Sequence, residues 1–208
     1  MRLALIDYGA GNLHSARRAF EFGGATVEVT ADPGVLAQAD GLVLPGVGAF
    51  DPTMTKLEGL GLREVILAQA RRKPLLGICI GLQVLFEGSE EGSRPGLGLI
   101  PGVCRRFHPE PSLNVPHMGW NQLETVANPL WTGLAERPWV YYVHTYFPVP
   151  TDPSVVIARS QHGHQLFCAA VQQGLVWGTQ FHPEKSSQAG LQIVRNFLSQ
   201  VAQTALSH

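Results

Sequence analysis

The cysteine at position 79 has the clearest capacity for chemistry in this sequence. It lies in the segment 77–83, GICIGLQ, between an apolar run and a pattern typical of a helix. A sharp turn from a strand into a helix can hold a thiol in the open, with the first backbone N–H groups of the helix directed at it. An intracellular cysteine is more often a small buried apolar residue. The position of Cys79 at such a turn instead predicts a nucleophile.

A base for this nucleophile is present in the segment FHPE, which ends at Glu184 and follows another apolar run. His182 can take the thiol proton, and Glu184 can orient the imidazole, which completes a Cys-His-Glu triad. The two segments are about a hundred residues apart, which is common for groups that meet only in the fold. Cys104 and Cys168 have no comparable setting, and we expect both to be structural.

The glycine-rich segment PGVG, which ends at Gly48, supplies candidate hydrogen-bond donors for the same site. Its glycines could serve only the geometry of a turn after a strand. The functional alternative is an oxyanion hole formed by the N–H groups of Val47 and Gly48 together with that of Ile80. Gln83 lies one helical turn beyond Cys79, so we expect it to face the same pocket and contact the substrate rather than solvent.

Apolar runs alternate with helical patterns in the first half of the chain, which predicts a parallel sheet with helices on both faces. Short apolar runs in the second half predict mostly antiparallel strands added to the same sheet. The predicted strands are 3–7, 26–30, 41–44, 75–78, 140–143, 155–160, 166–171 and 175–180. The predicted helices are 13–22, 52–72, 80–87 and a C-terminal helix with Leu191, Val194, Leu198 and Val201 on one face.

The candidate residues all follow predicted strands, and ligands of open α/β sheets bind beyond the carboxyl ends of the strands. Asp7-Tyr8-Gly9 follows the first strand in the same way. We therefore expect four strand ends to meet at one crevice. Asp51 followed by Pro52 also predicts the N-cap and first residue of the helix 52–72.

Composition narrows the class of protein. The chain has 208 residues, 45% of them hydrophobic, which favours one domain over 1–208 with a substantial core. Its 15 Lys+Arg and 16 Asp+Glu residues give no field that would attract nucleic acid or an anionic membrane. The N-terminus reaches Asp7 too soon for a signal peptide or a membrane span, so we expect a soluble, cytoplasmic protein.

Cysteine and histidine patterns give no sign of a metal or disulfide framework. Three cysteines without a CxxC pair fit a reducing compartment. The segment His162-Gly163-His164 has no carboxylate beside it and favours a hairpin turn over a metal site. We therefore expect no metal and no cofactor.

The segments around Cys79 and His182 resemble those of the class I (triad) glutamine amidotransferases, which hydrolyse glutamine to glutamate and ammonia. Further segments narrow the resemblance to the glutaminase subunits of imidazole glycerol phosphate synthases of histidine biosynthesis; they are DYGAGN (7–12), PGVGAF (45–50), PHMGWN (116–121), HTY (144–146) and HPEKS (182–186). The resemblance covers nearly the whole chain. It implies a single-domain, three-layer, flavodoxin-like α/β fold with a central mixed, mostly parallel sheet and helices on both faces.

The resemblance also implies a substrate site and a partner. The amino and carboxylate groups of glutamine are expected near Gly48, Gln83 and the backbone of Thr145 and Tyr146, and the region of Val47 is expected to reorient before its N–H serves. The partner would be a cyclase subunit, a (β/α)₈ barrel, in a heterodimer. The cyclase receives the ammonia and forms imidazole glycerol phosphate and an aminoimidazole carboxamide ribonucleotide. The expected docking residues are Tyr8, Asn12, Met118, Trp120, Asn121 and Lys185.

Two other functions remain open at this point. The chain could be a triad glutaminase subunit of another synthase, such as one making anthranilate or pyridoxal phosphate, and the partner that stimulates it would separate these. It could also be a non-catalytic scaffold of the same fold, which labelling of Cys79 by a glutamine analogue would exclude. The alternative for Trp120 is a core aromatic residue, and the alternative for Lys185 is a solvated charge.

Overall fold

The computed structural model of the chain describes residues 1–111 and 113–206. Its strands are β1 Arg2–Ile6, β2 Thr26–Thr30, β3 Gly41–Leu44, β4 Leu75–Ile78, β5 Gly88–Ser89, β6 Gly102–Arg106, β7 His117–Gln122, β8 Glu124–Thr125, β9 Trp139–His144, β10 Tyr146–Pro150, β11 Val156–His162, β12 Gln165–Gln173 and β13 Val176–Thr179. Its helices are α1 Leu13–Phe22, α2 Pro33–Gln38, α3 Phe50–Gly59, α4 Leu62–Ala70, α5 Ile80–Gln83 and α6 Ser187–Leu206, with short 3₁₀ turns at Pro129–Trp131, Pro153–Val155 and Pro183–Lys185.

The main sheet has eight strands in the order β2-β1-β3-β4-β13-β12-β11-β8. The strands from β2 to β13 in this order run parallel to one another. The remaining strands are added in antiparallel pairs. The predicted α/β class with a mixed, mostly parallel sheet is therefore confirmed.

Helices cover both faces of this sheet because its central strands are apolar on both sides, as parallel strands usually are. Leu3 and Leu5 of β1 pack with α1 and α6 on one face. Ala4 and Ile6, which point the other way, pack with α2, α3 and α4 on the opposite face. The result is the expected three layers, whereas the expected single domain over 1–208 stays a prediction.

The predicted helix 52–72 is two helices. Gly61 has φ +68°, a left-handed conformation that ends α3 and lets α4 start in a new direction. The predicted N-cap at Asp51 is also wrong, because Ala49 holds that position. The Asp51 carboxylate instead accepts hydrogen bonds from the N–H groups of Ser93 and Arg94, both at 3.0 Å, and so anchors the loop after β5.

Other elements differ from the prediction in the second half of the chain. β9 was expected in the main sheet but pairs with β7 in a separate two-stranded sheet, and β10, β6 and β5 form a third sheet. The helix predicted over 80–87 ends at Gln83. The prediction also missed α2, although Asp32 is its N-cap and Pro33 its first residue. This Asp-Pro pair is the same helix-start signal that was wrongly assigned to Asp51 and Pro52.

The carboxyl ends of β3, β4 and β13 lie side by side, because these strands are neighbours in the sheet. The segment 45–48 follows β3, Cys79 follows β4, and His182 comes three residues after the end of β13. The predicted crevice is therefore formed by adjacent strand ends. Among the described residues, no helix combines the length and apolar character needed to span a membrane.

Candidate active site

Cys79 lies in a strained turn between β4 and α5. Its φ of 57° and ψ of −110° are unusual for a residue with a side chain, and such strain costs about 1–3 kcal/mol. Hydrogen bonds hold the turn: the Cys79 N–H donates to the Thr179 carbonyl at 2.8 Å, and the Cys79 carbonyl accepts from the Gln83 N–H at 3.2 Å. Gly81 packs directly on the backbone of Leu44, where a β-carbon would collide with the carbonyl oxygen. The predicted strand-to-helix turn at the thiol is therefore present.

His182 and Glu184 form a buried pair next to the thiol. Nδ1 of His182 is 2.7 Å from Oε1 of Glu184, and their side chains are only 2% and 5% exposed. This contact fixes the Nδ1 side of the imidazole and leaves Nε2, which is buried and has no hydrogen-bond partner among the described residues. Burial lowers the pKa of His182, but the Cys79 side chain and the Glu184 carboxylate outweigh it and raise that pKa to about 10. The pair is thus suited to hold and release a proton beside the thiol.

Stability should depend on pH through His182. Because folding raises its pKa, the protonated imidazole contributes stability that is fully present below the ordinary pKa of 6.5 and is lost as the pH rises to about 10. We expect the difference in unfolding free energy between the unsubstituted chain and His182→Gln to shrink across this interval, measured by urea denaturation at a series of pH values. Glu184→Gln is the matched variant, because it removes one cause of the raised pKa of His182. In this variant, the stability contributed by the protonated imidazole should be fully lost at a lower pH. A difference that stays constant over the interval would contradict the assignment.

A cavity of about 340 Å³ opens on the thiol. Its lining includes every residue expected in the oxyanion hole or at the substrate, namely Val47, Gly48, Ile80, Gln83, Thr145 and Tyr146, together with Cys79. It also includes Glu91, Pro116, Val143 and His144, for which the sequence analysis proposed no contact with the substrate. The structure therefore brings the predicted site residues together, while their roles stay predictions.

Gln83 is fixed by hydrogen bonds inside the protein. Its Nε2 donates to the Tyr146 carbonyl at 2.8 Å and to Oε1 of Gln180 at 3.0 Å, so both N–H groups are used. The atom left for a ligand is the acceptor Oε1. Gln180 in turn donates from Nε2 to the sulfur of Cys79 at 3.8 Å. The sequence analysis did not assign Gln180 to the site. The signal that could have indicated it is its place as a polar residue within the apolar run before His182.

Glu91 supplies a carboxylate to the cavity wall. Its Oε2 accepts a hydrogen bond of 2.8 Å from the N–H of Phe50, at the start of α3. The residue lies in a stretch rich in glycine, proline and serine, where sequence patterns do not show which side chains turn inward. A negative group at this position can attract a ligand ammonium group.

Most of the expected docking residues are on the surface. Met118 and Trp120 on β7 are 63% and 50% exposed, which excludes Trp120 as a core residue. Lys185 is exposed, with Nζ 5.9 Å from the centre of the Tyr141 ring, and that ring lies 6.0 Å from Trp120. Asn12 is exposed and caps α1, and Asn121 is half-buried.

Tyr8 does not belong to this surface, so its expected place on the docking face is wrong. Its side chain is 1% exposed, and its hydroxyl has no hydrogen-bond partner among the described residues. The hydroxyl lies against Gly46, where a β-carbon would collide with it. Burial also raises the pKa of Tyr8. The ring therefore lies beneath the 45–48 segment rather than on a face that a partner can reach.

The other cysteines and the histidine pair are where the sequence predicted. Cys104 and Cys168 are both buried, and burial raises the pKa of both thiols. His162 and Gln165 pair across a hairpin between β11 and β12, with Gly163 at φ +61° in its turn. The hairpin prediction is confirmed.

The family described as "Glutamine amidotransferase class-I" matches residues 4–201 of the chain. The imidazole glycerol phosphate synthase subunit HisH of Synechococcus sp. (strain JA-3-3Ab) is 57% identical over 97% of this chain and 95% of its own length. The protein of the same name from Synechococcus elongatus is 51% identical over 99% of this chain and 96% of its own length.

Solved structures agree on the fold. A crystal structure of a glutamine amidotransferase superposes with a TM-score of 0.75 at 19% sequence identity, covering 96% of this chain and 98% of that one. The chain therefore belongs to the class I glutamine amidotransferases and, within them, to the family of imidazole glycerol phosphate synthase subunits HisH.

Proposed function

We propose that the chain is the glutaminase subunit of an imidazole glycerol phosphate synthase, that it hydrolyses glutamine with Cys79, His182 and Glu184, and that it passes the ammonia to a cyclase subunit. The observation that carries the proposal is a thiol in the lining of a cavity, with a buried imidazole–carboxylate pair close enough for the thiol to raise the pKa of the imidazole. The names of the relatives favour histidine biosynthesis over anthranilate or pyridoxal phosphate synthesis.

The first half of the reaction forms a thioester. The Cys79 thiolate attacks the side-chain carbonyl carbon of glutamine and forms a tetrahedral intermediate with a negative oxygen. The His182 imidazolium then gives its Nε2 proton to the departing nitrogen, the C–N bond breaks and ammonia leaves. Glu184 holds the other ring nitrogen at 2.7 Å and stabilises the charged imidazolium, which is consistent with the raised pKa.

The second half releases glutamate. His182, now neutral, takes a proton from water, and the hydroxide attacks the thioester carbonyl. The C–S bond breaks, the sulfur leaves as thiolate, and the imidazolium is restored. One ring therefore acts first as acid and then as base.

Backbone donors are expected to stabilise the negative oxygen. The N–H of Ile80 is the first of α5 and has no acceptor within the helix. Val47 and Gly48 line the same cavity, and Gly48 has φ +128°, which a residue with a side chain rarely adopts. Losing one such donor typically lowers kcat by about 10²–10³.

We expect the polar groups that line the cavity to select the substrate. Oε1 of Gln83 and the carboxylate of Glu91 are acceptors suited to the α-ammonium group of glutamine. The backbone of Thr145 and Tyr146 lies on the same cavity and is proposed to contact the substrate. Such paired recognition would distinguish a free amino acid from a glutamine side chain within a peptide.

The proposed partner surface consists of Asn12, Met118, Trp120, Asn121 and Lys185. Its apolar centre is Met118 and Trp120, and exposed tryptophan often anchors an interface. Lys185 is the cation of this surface and is proposed to pair with an acidic residue of the cyclase. The cytoplasmic location of such a complex stays a prediction.

Adding a cyclase subunit should raise glutamine hydrolysis by the purified chain about tenfold or more, most of all with the phosphoribulosyl-formimino nucleotide present, because coupling between sites commonly has this size. The measurement compares glutamine-dependent with ammonia-dependent synthesis, and only the first should require this chain. An isolated chain that is fully active and ignores the cyclase would contradict the coupling. Stimulation by an anthranilate synthase subunit instead would overturn the assigned pathway.

A further inference from the structure

Two buried histidines outside the triad connect the cavity wall with β7. Nδ1 of His117 is 3.0 Å from Nε2 of His144, and Nδ1 of His144 is 2.9 Å from the carbonyl oxygen of Tyr146. At the other end, Nε2 of His117 is 3.2 Å from Nδ2 of Asn121. Both residues are 5% exposed, so bulk solvent has little access to either ring. The triad mechanism uses neither ring.

The chemistry of the end groups fixes the direction of every hydrogen bond in this line. A carbonyl oxygen only accepts, so His144 must carry its proton on Nδ1, and its Nε2 must then accept. His117 must therefore donate from Nδ1 and accept on Nε2, where the Asn121 amide is the donor. The Asn121 amide orientation agrees, because Nδ2 also donates to the Gln161 carbonyl and Oδ1 accepts from the Gln122 N–H. Both imidazoles are thus neutral and protonated on Nδ1.

The surroundings keep this pair neutral. Phe107 and Phe167 contact both histidine rings, and the ring of Tyr142 lies 4.7 Å from that of His117. Burial, with a smaller effect of His162, lowers the pKa of His117 to about 3, and burial also lowers the pKa of His144. The arrangement therefore does not change charge near neutral pH.

The line continues from Tyr146 into the catalytic site. The Tyr146 carbonyl accepts from both His144 and Gln83, at 2.9 and 2.8 Å. Gln83 then donates to Gln180, which donates to the sulfur of Cys79. One carbonyl oxygen is therefore the junction between the histidine pair and the groups that face the substrate and the nucleophile.

We propose that His117 and His144 are positioning residues of the glutaminase site, which act as a fixed-polarity relay that holds the Tyr146 carbonyl, and through it the Gln83 amide, in the orientation that binds glutamine. This inference rests on the proposed function. It assigns a role to Asn121 as the outer end of the relay, next to Trp120 on the proposed partner surface. Without the relay, the Tyr146 carbonyl loses one of its two donors, and the Gln83 amide loses a fixed acceptor.

The polarity can be tested without any activity. In the full-length chain labelled with ¹⁵N, long-range ¹H–¹⁵N spectra should show both rings in the Nδ1–H form, with assignments from His117→Asn and His144→Asn. Free neutral histidine does not hold a single form, so the fixed one reports the relay. An Nε2–H form at either ring would overturn the proposal.

A matched pair of variants tests the positioning role. In His117→Asn, the side-chain amide nitrogen takes the position of the imidazole Nδ1 and can still donate to His144. In His117→Gln, the amide nitrogen takes the position of Nε2, so the hydrogen bond to His144 is lost. In the complex with cyclase, we expect His117→Gln to raise the KM for glutamine about tenfold with a smaller change in kcat, the effect of one lost hydrogen bond. His117→Asn should stay within about twofold of the unsubstituted chain.

Melting temperatures of both variants separate positioning from packing. A KM that differs between the two variants at similar melting temperatures supports the relay. Equal losses in both, or no change in either, would overturn it. Ammonia-dependent synthesis should be unchanged throughout. If Cys79→Ala kept glutaminase activity, the proposed function would be wrong. The NMR spectra would still decide whether both histidines carry the proton on Nδ1, because that measurement does not depend on activity.

Discussion

Glutamine-dependent synthesis should fall by about 10⁴-fold or more in Cys79→Ala, because removal of a catalytic nucleophile typically leaves only the contribution of binding and of the oxyanion hole. Ammonia-dependent synthesis by the same complex should stay unchanged, since the cyclase then needs no glutaminase. The measurement is product formation with each nitrogen source, at saturating nucleotide, with the binding of the variant to cyclase checked separately.

Cys168→Ala is the matched control. It also removes a buried thiol, but one on β12 at 3% exposure with its sulfur directed to the Ala170 carbonyl at 3.7 Å. We expect a modest loss of stability and nearly full glutaminase activity in this variant. Substantial glutaminase activity in Cys79→Ala, or an equal loss in Cys168→Ala, would show that the nucleophile was misassigned.

The second large effect is expected from Gly81→Ala. A β-carbon at this position collides with the Leu44 carbonyl oxygen, which belongs to a buried strand backbone and cannot move aside as a flexible side chain could. The first turn of α5 would have to shift, and Cys79 and the Ile80 N–H would shift with it. We expect a loss of about 3 kcal/mol of unfolding free energy and loss of nearly all glutaminase activity.

Gly59→Ala provides the comparison for this variant. Gly59 lies at the end of α3, and nothing lies within 4 Å of a β-carbon built there. Alanine should be neutral or stabilise the helix by up to about 1 kcal/mol. Urea denaturation and glutaminase assays of both variants make the test. If Gly81→Ala behaved like Gly59→Ala, the close approach of α5 to β3 would not be what shapes the turn.

The catalytic end of the fold could be predicted from sequence because one kind of signal repeats there. Cys79, His182 and the 45–48 segment each follow a short apolar run, and parallel strands bring such ends to the same edge. The helix break at Gly61 was harder to predict, because the apolar spacing continues across it. Only the left-handed conformation of that glycine separates α3 from α4.

The cavity wall far from the sheet could not be predicted in the same way. Glu91 reaches it from the turn after β5, and His144 from the end of β9, and the placement of both depends on long-range contacts. On β7, His117 points inward while Met118 and Trp120 point outward, which is the reverse of the usual apolar-inside pattern. Tyr8 was misplaced for a related reason: the space beneath Gly46 that accommodates its ring is visible only in three dimensions.

The register of β4 with β13 has a mechanical consequence. Ile78 pairs with Thr179, and the Cys79 N–H donates to the Thr179 carbonyl at 2.8 Å. Cys79 and His182, the proposed nucleophile and base, therefore follow neighbouring strands that lie about 4.8 Å apart. Separating them would require breaking the centre of the main sheet. The proposed cyclase partner would therefore have little effect on the distance between the triad residues. The groups that such a partner could move more easily are 47–48 and 143–146, which line the cavity together with the thiol, so regulation would change the surroundings of an already assembled triad.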